Sequence, residues 1–193
     1  MPTRTLALIF FSLCVSCLHA VDVKIDTVSS SVNFKIRHLG IANVRGHFAK
    51  FSGEWSVDPE SQKLTALTGT VSVASVDTGE PKRDKHLCNE DFFETEKYPD
   101  MTIKMTGFGG EGTSSRVTAE LTIKGVTKKV LFQGEVSPLI ANPFNGGKTR
   151  KHGLSLSTTI NRMDFKVGEN FKAPKVGEEV TIMIDLEGDA PGE

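Results

Sequence analysis

The chain is 193 residues long, 38% hydrophobic and 24% charged, with 23 basic residues against 24 acidic ones and a formal net charge of −1. That length allows one domain with a sizeable core. So even a charge balance offers no general attraction for nucleic acid or an anionic membrane.

Residues 1–20 read as a secretory signal peptide. Arg4 is their only charge apart from His19, Leu6 to Val15 is apolar but for Ser12, and Leu18-His19-Ala20 offers a small residue at the cut. The run is too short for a transmembrane helix, which needs about twenty residues. The expected mature chain, 21–193, is therefore one domain with no stable membrane span, periplasmic or secreted. Lipid attachment at Cys17 is the lesser alternative. Of the three cysteines, Cys14 and Cys17 leave with the signal, so Cys88 has no partner for an internal disulfide. An odd thiol in an exported chain allows a homodimer, although an inert, partly buried cysteine is the better reading.

From Val21 onward apolar and polar residues alternate. Val32, Phe34 and Ile36 share one face, and Phe51, Trp55 and Val57 share theirs with Gly53. Leu67, Val71 and Val73 do the same with Gly69. Further runs contain Met101, Ile103 and Met105, then Val117, Ala119, Leu121 and Ile123, then Val130, Phe132 and Val136. Leu154, Leu156 and Ile160 precede the last run, Val180, Ile182, Ile184 and Leu186. One apolar and one polar face per strand predicts antiparallel sheet wet on one side. Glycine pairs and Lys124-Gly125 mark the turns. About eight strands at hairpin spacing fit a closed barrel or a two-sheet sandwich. The single large insertion, suited to capping a mouth, favours the barrel, which has room for side chains or one small ligand.

That insertion, Glu80 to Pro99, has no alternation and predicts short helical turns packing Leu87, Phe92, Phe93 and Tyr98 onto the rest. Asp84 is placed to N-cap a helix through Lys85-His86-Leu87, with Arg83 free to pair with Asp91 or a ligand phosphate. A loop staple is the plainer role for that pair.

No motif makes a convincing active site. Asp77-Thr78-Gly79 resembles the aspartic-protease triplet, but only one copy exists and Glu80-Pro81 follows, so a strand end turning at glycine is the better reading. Gly147-Lys148-Thr149 lacks the first glycine of a phosphate loop. His38, His47, His86 and His152 have no ligand spacing between them. No cofactor, metal site or catalytic group is expected.

Several blocks together resemble the YceI-like family of lipocalin-like, polyisoprenoid-binding exported proteins. The central ones are Ser75-Val-Asp77-Thr-Gly79, Arg83-Asp84-x-His86-Leu87, Asp91-Phe92-Phe93 and Lys97-Tyr98-Pro99. Flanking them are Ser31-x-x-Phe34, His38-x-Gly40, Gly46-x-Phe48, Leu121-Thr-Ile-x-Gly125-Val-Thr-Lys128, Asn161-Arg162-x-Asp164-Phe165 and Gly177-Glu-Glu-Val180. The chain departs from the pattern at Ser30, Cys88 and Lys166.

The resemblance implies an all-β fold, an extended antiparallel lipocalin-like barrel with a short helical insertion near residues 80–99. It implies a non-enzymatic binding protein that sequesters or carries a long-chain isoprenoid lipid, a polyprenyl phosphate or a quinone-type tail. The expected lining is Phe34, Ile36, Phe48, Trp55, Val71, Val73, Met101, Ile103, Met105, Leu121, Phe132, Leu156, Ile160, Ile182 and Ile184, with Phe92 and Phe93 lining or gating the mouth. Two rival readings are an enzyme, metal-dependent or hydrolytic, built on His38, His86 and nearby carboxylates, and an interaction module with a filled interior.

Overall fold

The structure, a computed structural model, describes residues 20–192. The expected signal segment lies outside the described residues apart from Ala20, as does Cys17. Twelve strands among these residues, all paired antiparallel, form one sheet. The first six are β1 (Val21–Ile25), β2 (Ser31–His38), β3 (Ala42–Phe48), β4 (Phe51–Val57), β5 (Leu64–Ser72) and β6 (Val76–Asp77). The others are β7 (Asp100–Gly109), β8 (Ser115–Ile123), β9 (Val126–Val136), β10 (Ile140–Ala141), β11 (Thr149–Asn161) and β12 (Val176–Pro191). One α-helix among the described residues, α1 (Pro81–Cys88), occupies the insertion.

Eight strands close a ring in the order β11, β9, β8, β7, β5, β4, β1, β12. The ring closes because β12 pairs with β11 continuously, from Thr149↔Pro191 to Asn161↔Glu179. Closure removes the unpaired edges that an open sheet would expose. The extra strands arise from breaks within staves of the barrel. Beside β12 run β1 and β2 end to end, joined through Asp26 and Ser30, which both hydrogen-bond Glu187. On the next stave β3 and β4 do likewise, pairing with β2 and β1 respectively.

Local chemistry explains most turns. Ile123 and Val126 pair across Lys124-Gly125, which have φ of 49° and 73°. Two positive φ values make the primed turn that matches strand twist. Val73, expected to continue β5, instead starts a 3-10 turn (Val73–Ser75) after Ser72, and its side chain is buried under the cap.

Two apolar clusters fill the two ends of the barrel. One centres on Val23, Trp55, Val57, Leu67, Val117, Phe132, Leu154 and Leu156. The other gathers Phe48, Val73, Val76, Phe92, Met101, Leu121, Ile123, Ile160, Phe165 and Val167. Ile103, Ile182 and Val130 touch both.

Candidate functional site: an apolar lumen between two plugs

Between the clusters the barrel holds a cavity of about 140 Å³, with an almost wholly apolar lining. It reaches the sheet backbone at two glycines. Gly53 and Gly69 face each other across β4 and β5, at inward positions flanked by Phe51 and Trp55 on one strand and by Leu67 and Val71 on the other. Neither carries a side chain, so the lumen extends to the backbone of both strands. A methyl at Gly69 would lie 3.0 Å from Ile103 Cγ2. Phe34, Val71, Ile103, Ile182 and Ile184 also point inward, yet they are only half-buried, because they face this space rather than one another.

Eleven of the expected lining residues reach the wall: Phe34, Phe48, Val71, Phe93, Met101, Ile103, Leu121, Phe132, Ile160, Ile182 and Ile184. Six do not. Trp55 and Leu156 belong to one plug, Val73 and Phe92 to the other. Met105 packs against the first plug, and Ile36 sits beyond the cavity between Val44 and Val180. Alternation shows which side a residue faces, but not how far along the barrel axis the void runs. Ile25, Val32, Phe51, Leu67, Ile123, Val180 and Leu186 also line it. Six of these (Val32, Phe51, Leu67, Ile123, Val180, Leu186) lie within four residues, on the same strand face, of an expected lining residue, so the period-2 signal already contains them. Arg162, Phe165 and Val167 line it from a non-periodic turn that carries no such signal.

The insertion closes one end. Glu80, not Asp84, caps α1, accepting from the Lys82 N–H, with Pro81 at the first helical position. Asp84 reaches back to accept from the Thr78 N–H (3.0 Å) and hydroxyl, while Arg83 donates to Thr78 Oγ1 (2.7 Å) and O (2.9 Å). This pair staples the turn at Gly79 and leaves the lumen alone. Asp91 pairs with His86 (2.9 Å) instead of Arg83. The His86 ring meets Phe92 and Phe171 edge-on, and those two stack with centroids 4.9 Å apart. Phe92 is thus a wedge in a fixed cluster. Cys88 is half-buried, and desolvation raises its thiol pKa, which leaves little reactive thiolate at neutral pH.

Arg162 is the charged side chain among the lining residues and is only 4% exposed. Its guanidinium donates to the carbonyls of Gly177 (2.7 Å), Val167 (2.6 Å), Gly168 (2.7 Å), Val176 (3.1 Å) and Phe171. Five N–H groups meet five carbonyl oxygens, so none is left for a ligand anion. Burial lowers its pKa, opposed by Glu178 nearby.

The wall itself has a discontinuity. The β1–β4 ladder ends at Lys24↔Glu54, and the β2–β3 ladder ends at Asn33↔His47. Between these points, residues 25–32 of one stave and 48–53 of the other form no ladder pair with each other. The cavity runs to this gap, where Ile25, Val32 and Phe34 line one lip and Phe48, Phe51 and Gly53 the other.

Among the described residues no three of His, Cys, Asp and Glu gather as a metal-binding set, and no helix is long and apolar enough to cross a membrane. His38 ends β2 at the surface, apart from the His86–Asp91 pair on the insertion.

Comparison with known proteins agrees with this architecture. A YceI-like domain model matches residues 23–188. Protein YceI of Escherichia coli O157:H7 is 33% identical over 192 residues, covering 97% of this chain and 98% of its own. The crystal structure of the Campylobacter jejuni YCEI protein superposes with a TM-score of 0.73 at 33% identity, covering 79% of this chain and 88% of its own. A polyisoprenoid binding domain from Saccharophagus degradans superposes with a TM-score of 0.65 over 90% of this chain and all of its own (100%); at 18% identity this is a likeness of fold alone.

Proposed function

The chain belongs to the YceI-like family, and from that premise we propose that it is an exported, non-catalytic carrier that holds the hydrocarbon tail of an isoprenoid lipid in its barrel. The observation that carries the reading is the open lumen at the Gly53–Gly69 pair, walled by aliphatic and aromatic side chains that stay half-buried. Burying a methylene is worth roughly 0.8 kcal/mol, so one isoprene unit contributes about 4 kcal/mol. Several units are needed to exceed an association cost of roughly 4–15 kcal/mol and still bind at micromolar concentration.

The chemistry of the wall narrows the class. With every Arg162 N–H engaged by a carbonyl, the lumen has no anchor for a carboxylate or phosphate, so it takes a neutral chain and leaves any charged head outside. The ladder gap is the door in this reading. Both ends of the barrel are plugged, and parting the lips of the gap breaks no ladder hydrogen bond.

Native mass spectrometry of protein purified from producing cells is expected to show a lipid adduct, and geranylgeraniol is expected to displace diphenylhexatriene from the delipidated protein. Bare polypeptide mass from several hosts, together with no displacement, overturns the proposal.

A further inference from the structure

Overall charge is close to balanced, but its distribution is not. No Asp or Glu occurs between Asp26 and Glu54, a stretch that contains Lys35, Arg37, Arg45 and Lys50. Phe171 to Gly177 also lacks acids and contains Lys172 and Lys175. The fold brings the middles of these two segments together. The β2–β3 hairpin turns at Leu39-Gly40-Ile41 and rests on the second segment: the Leu39 N–H donates to the Lys175 carbonyl (3.1 Å), and Val176 pairs with His38.

The tip of this cationic surface is greasy. Ile41 is 79% exposed and Leu39 is 53% exposed, with Ala42, Ala173 and Pro174 exposed beside them. Leu39 has a φ of 52°, a backbone region that suits glycine or asparagine far better than leucine. An aliphatic side chain is therefore displayed at a position where neither burial nor turn geometry favours it. Around the tip stand Arg37, Arg45, Lys172 and Lys175, all exposed. Arg37 bonds only neutral acceptors, the Gly40 carbonyl (3.2 Å) and the Asn43 amide oxygen (3.4 Å). Among the described residues none of these four cations has a carboxylate partner. The nearest acids in sequence are Glu169, Glu178 and Glu179.

We propose that the Leu39–Ile41 hairpin tip docks on an anionic lipid bilayer, with Leu39 and Ile41 entering the interface and Arg37, Arg45, Lys172 and Lys175 meeting lipid phosphates. Exposed aliphatics ringed by cations are what an interfacial anchor requires: apolar contact supplies binding and basic groups supply selectivity for negative surfaces. The surface does not depend on what fills the lumen. A second exposed apolar site, Phe144 (93% exposed) with Ile140 and Pro143, borders a groove carrying Glu135, Asp185 and Glu187 beside Lys151. Those acids suit it poorly to a negative surface, so it serves as the control.

The test is flotation of residues 21–193 with vesicles of phosphatidylglycerol and phosphatidylethanolamine, against vesicles of phosphatidylcholine. Binding to the anionic vesicles is expected, falling about tenfold or more in Leu39→Ser/Ile41→Ser and in Lys172→Glu/Lys175→Glu. It is also expected to weaken as salt rises, and to stay unchanged in Phe144→Ser. Far-UV circular dichroism and diphenylhexatriene uptake report that each variant is folded. Equal binding to both vesicle types, or loss in Phe144→Ser with the tip variants unaffected, overturns the proposal. So does a dimer in sedimentation that the tip substitutions dissolve while flotation is absent, because the tip then serves a second copy of the chain.

Discussion

His152 sends its ring into the Trp55 end of the barrel, 2% exposed, where Trp55 Nε1–H donates to its Nδ1 at 2.9 Å. With Nδ1 accepting, the neutral ring carries its proton on Nε2, which has no partner. Burial lowers its pKa from the usual 6.5 to about 4. The unfolded chain therefore binds the proton more readily, and stability is expected to fall as pH drops from 6.5 and to finish falling near 4. The loss is about 3 kcal/mol in all. His152→Gln, which keeps an acceptor for Trp55, is expected to flatten this window in urea melts taken at pH 7, 5.5 and 4; an unchanged slope rules out His152 as the source. Arg162 acts through its geometry more than its charge. Lysine cannot span five carbonyls, so Arg162→Lys leaves buried acceptors unpaired at roughly 3 kcal/mol or more. Calorimetry is expected to show a midpoint lower by roughly 10 °C. Both roles escape sequence reasoning, because an alternation pattern marks His152 as inward but says nothing of Trp55, 97 positions away.

At the scale of elements, strand identity was the most legible feature and strand continuity the least. The apolar runs from Val32 to Leu186 all became inward faces, since a one-residue slip would expose every one of them. The breaks between β1 and β2 and between β3 and β4 were not readable, because they depend on which neighbour each half-stave pairs with. Those breaks create the gap in the wall. In a Cys88→Ser background, a bulky maleimide at Ser52→Cys, on the gap's lip, is expected to slow uptake and release of diphenylhexatriene at least tenfold. The same label at Lys104→Cys, exposed on β7, is expected to leave both rates unchanged. Equal rates for the two would place the door elsewhere. The insertion supplied its helix as expected, but its capping residue was Glu80 in place of Asp84, which Thr78 draws backward into the preceding turn.

Across the whole molecule, function follows from a balance between plugs and void. A barrel of eight strands has an interior that side chains can just fill, and here each end is filled while the Gly53–Gly69 level is not. Restoring side chains there is expected to remove binding without unfolding the chain. In Gly69→Val the added Cβ stands 3.0 Å from Ile103 Cγ2 and 3.6 Å from the Ser52 carbonyl, so Ile103 must give way, and Ile184→Phe also enlarges a lining side chain. Each is expected to weaken geranylgeraniol binding about tenfold or more while the chain stays folded, and Ile184→Phe is expected to hold or raise the melting temperature, since filling a void restores lost contacts. Full binding in both variants would separate the lumen from the ligand.

The amino-acid order by itself determined the strand faces, the one-sided burial, the position of the helical insertion and the membership blocks spread along the chain, because each is written in spacings of a few residues. It also held the two inward glycines in plain view. Only tertiary structure decided that they stand opposite each other, that Phe92 packs on Phe171 in the cluster beneath the insertion, and that Leu39 joins Lys172 and Lys175 at one tip. Those facts depend on cross-strand register and on contacts between residues from about eighty to more than a hundred positions apart, such as Phe92 with Phe171 and Leu39 with Lys175, and local periodicity carries no information about either.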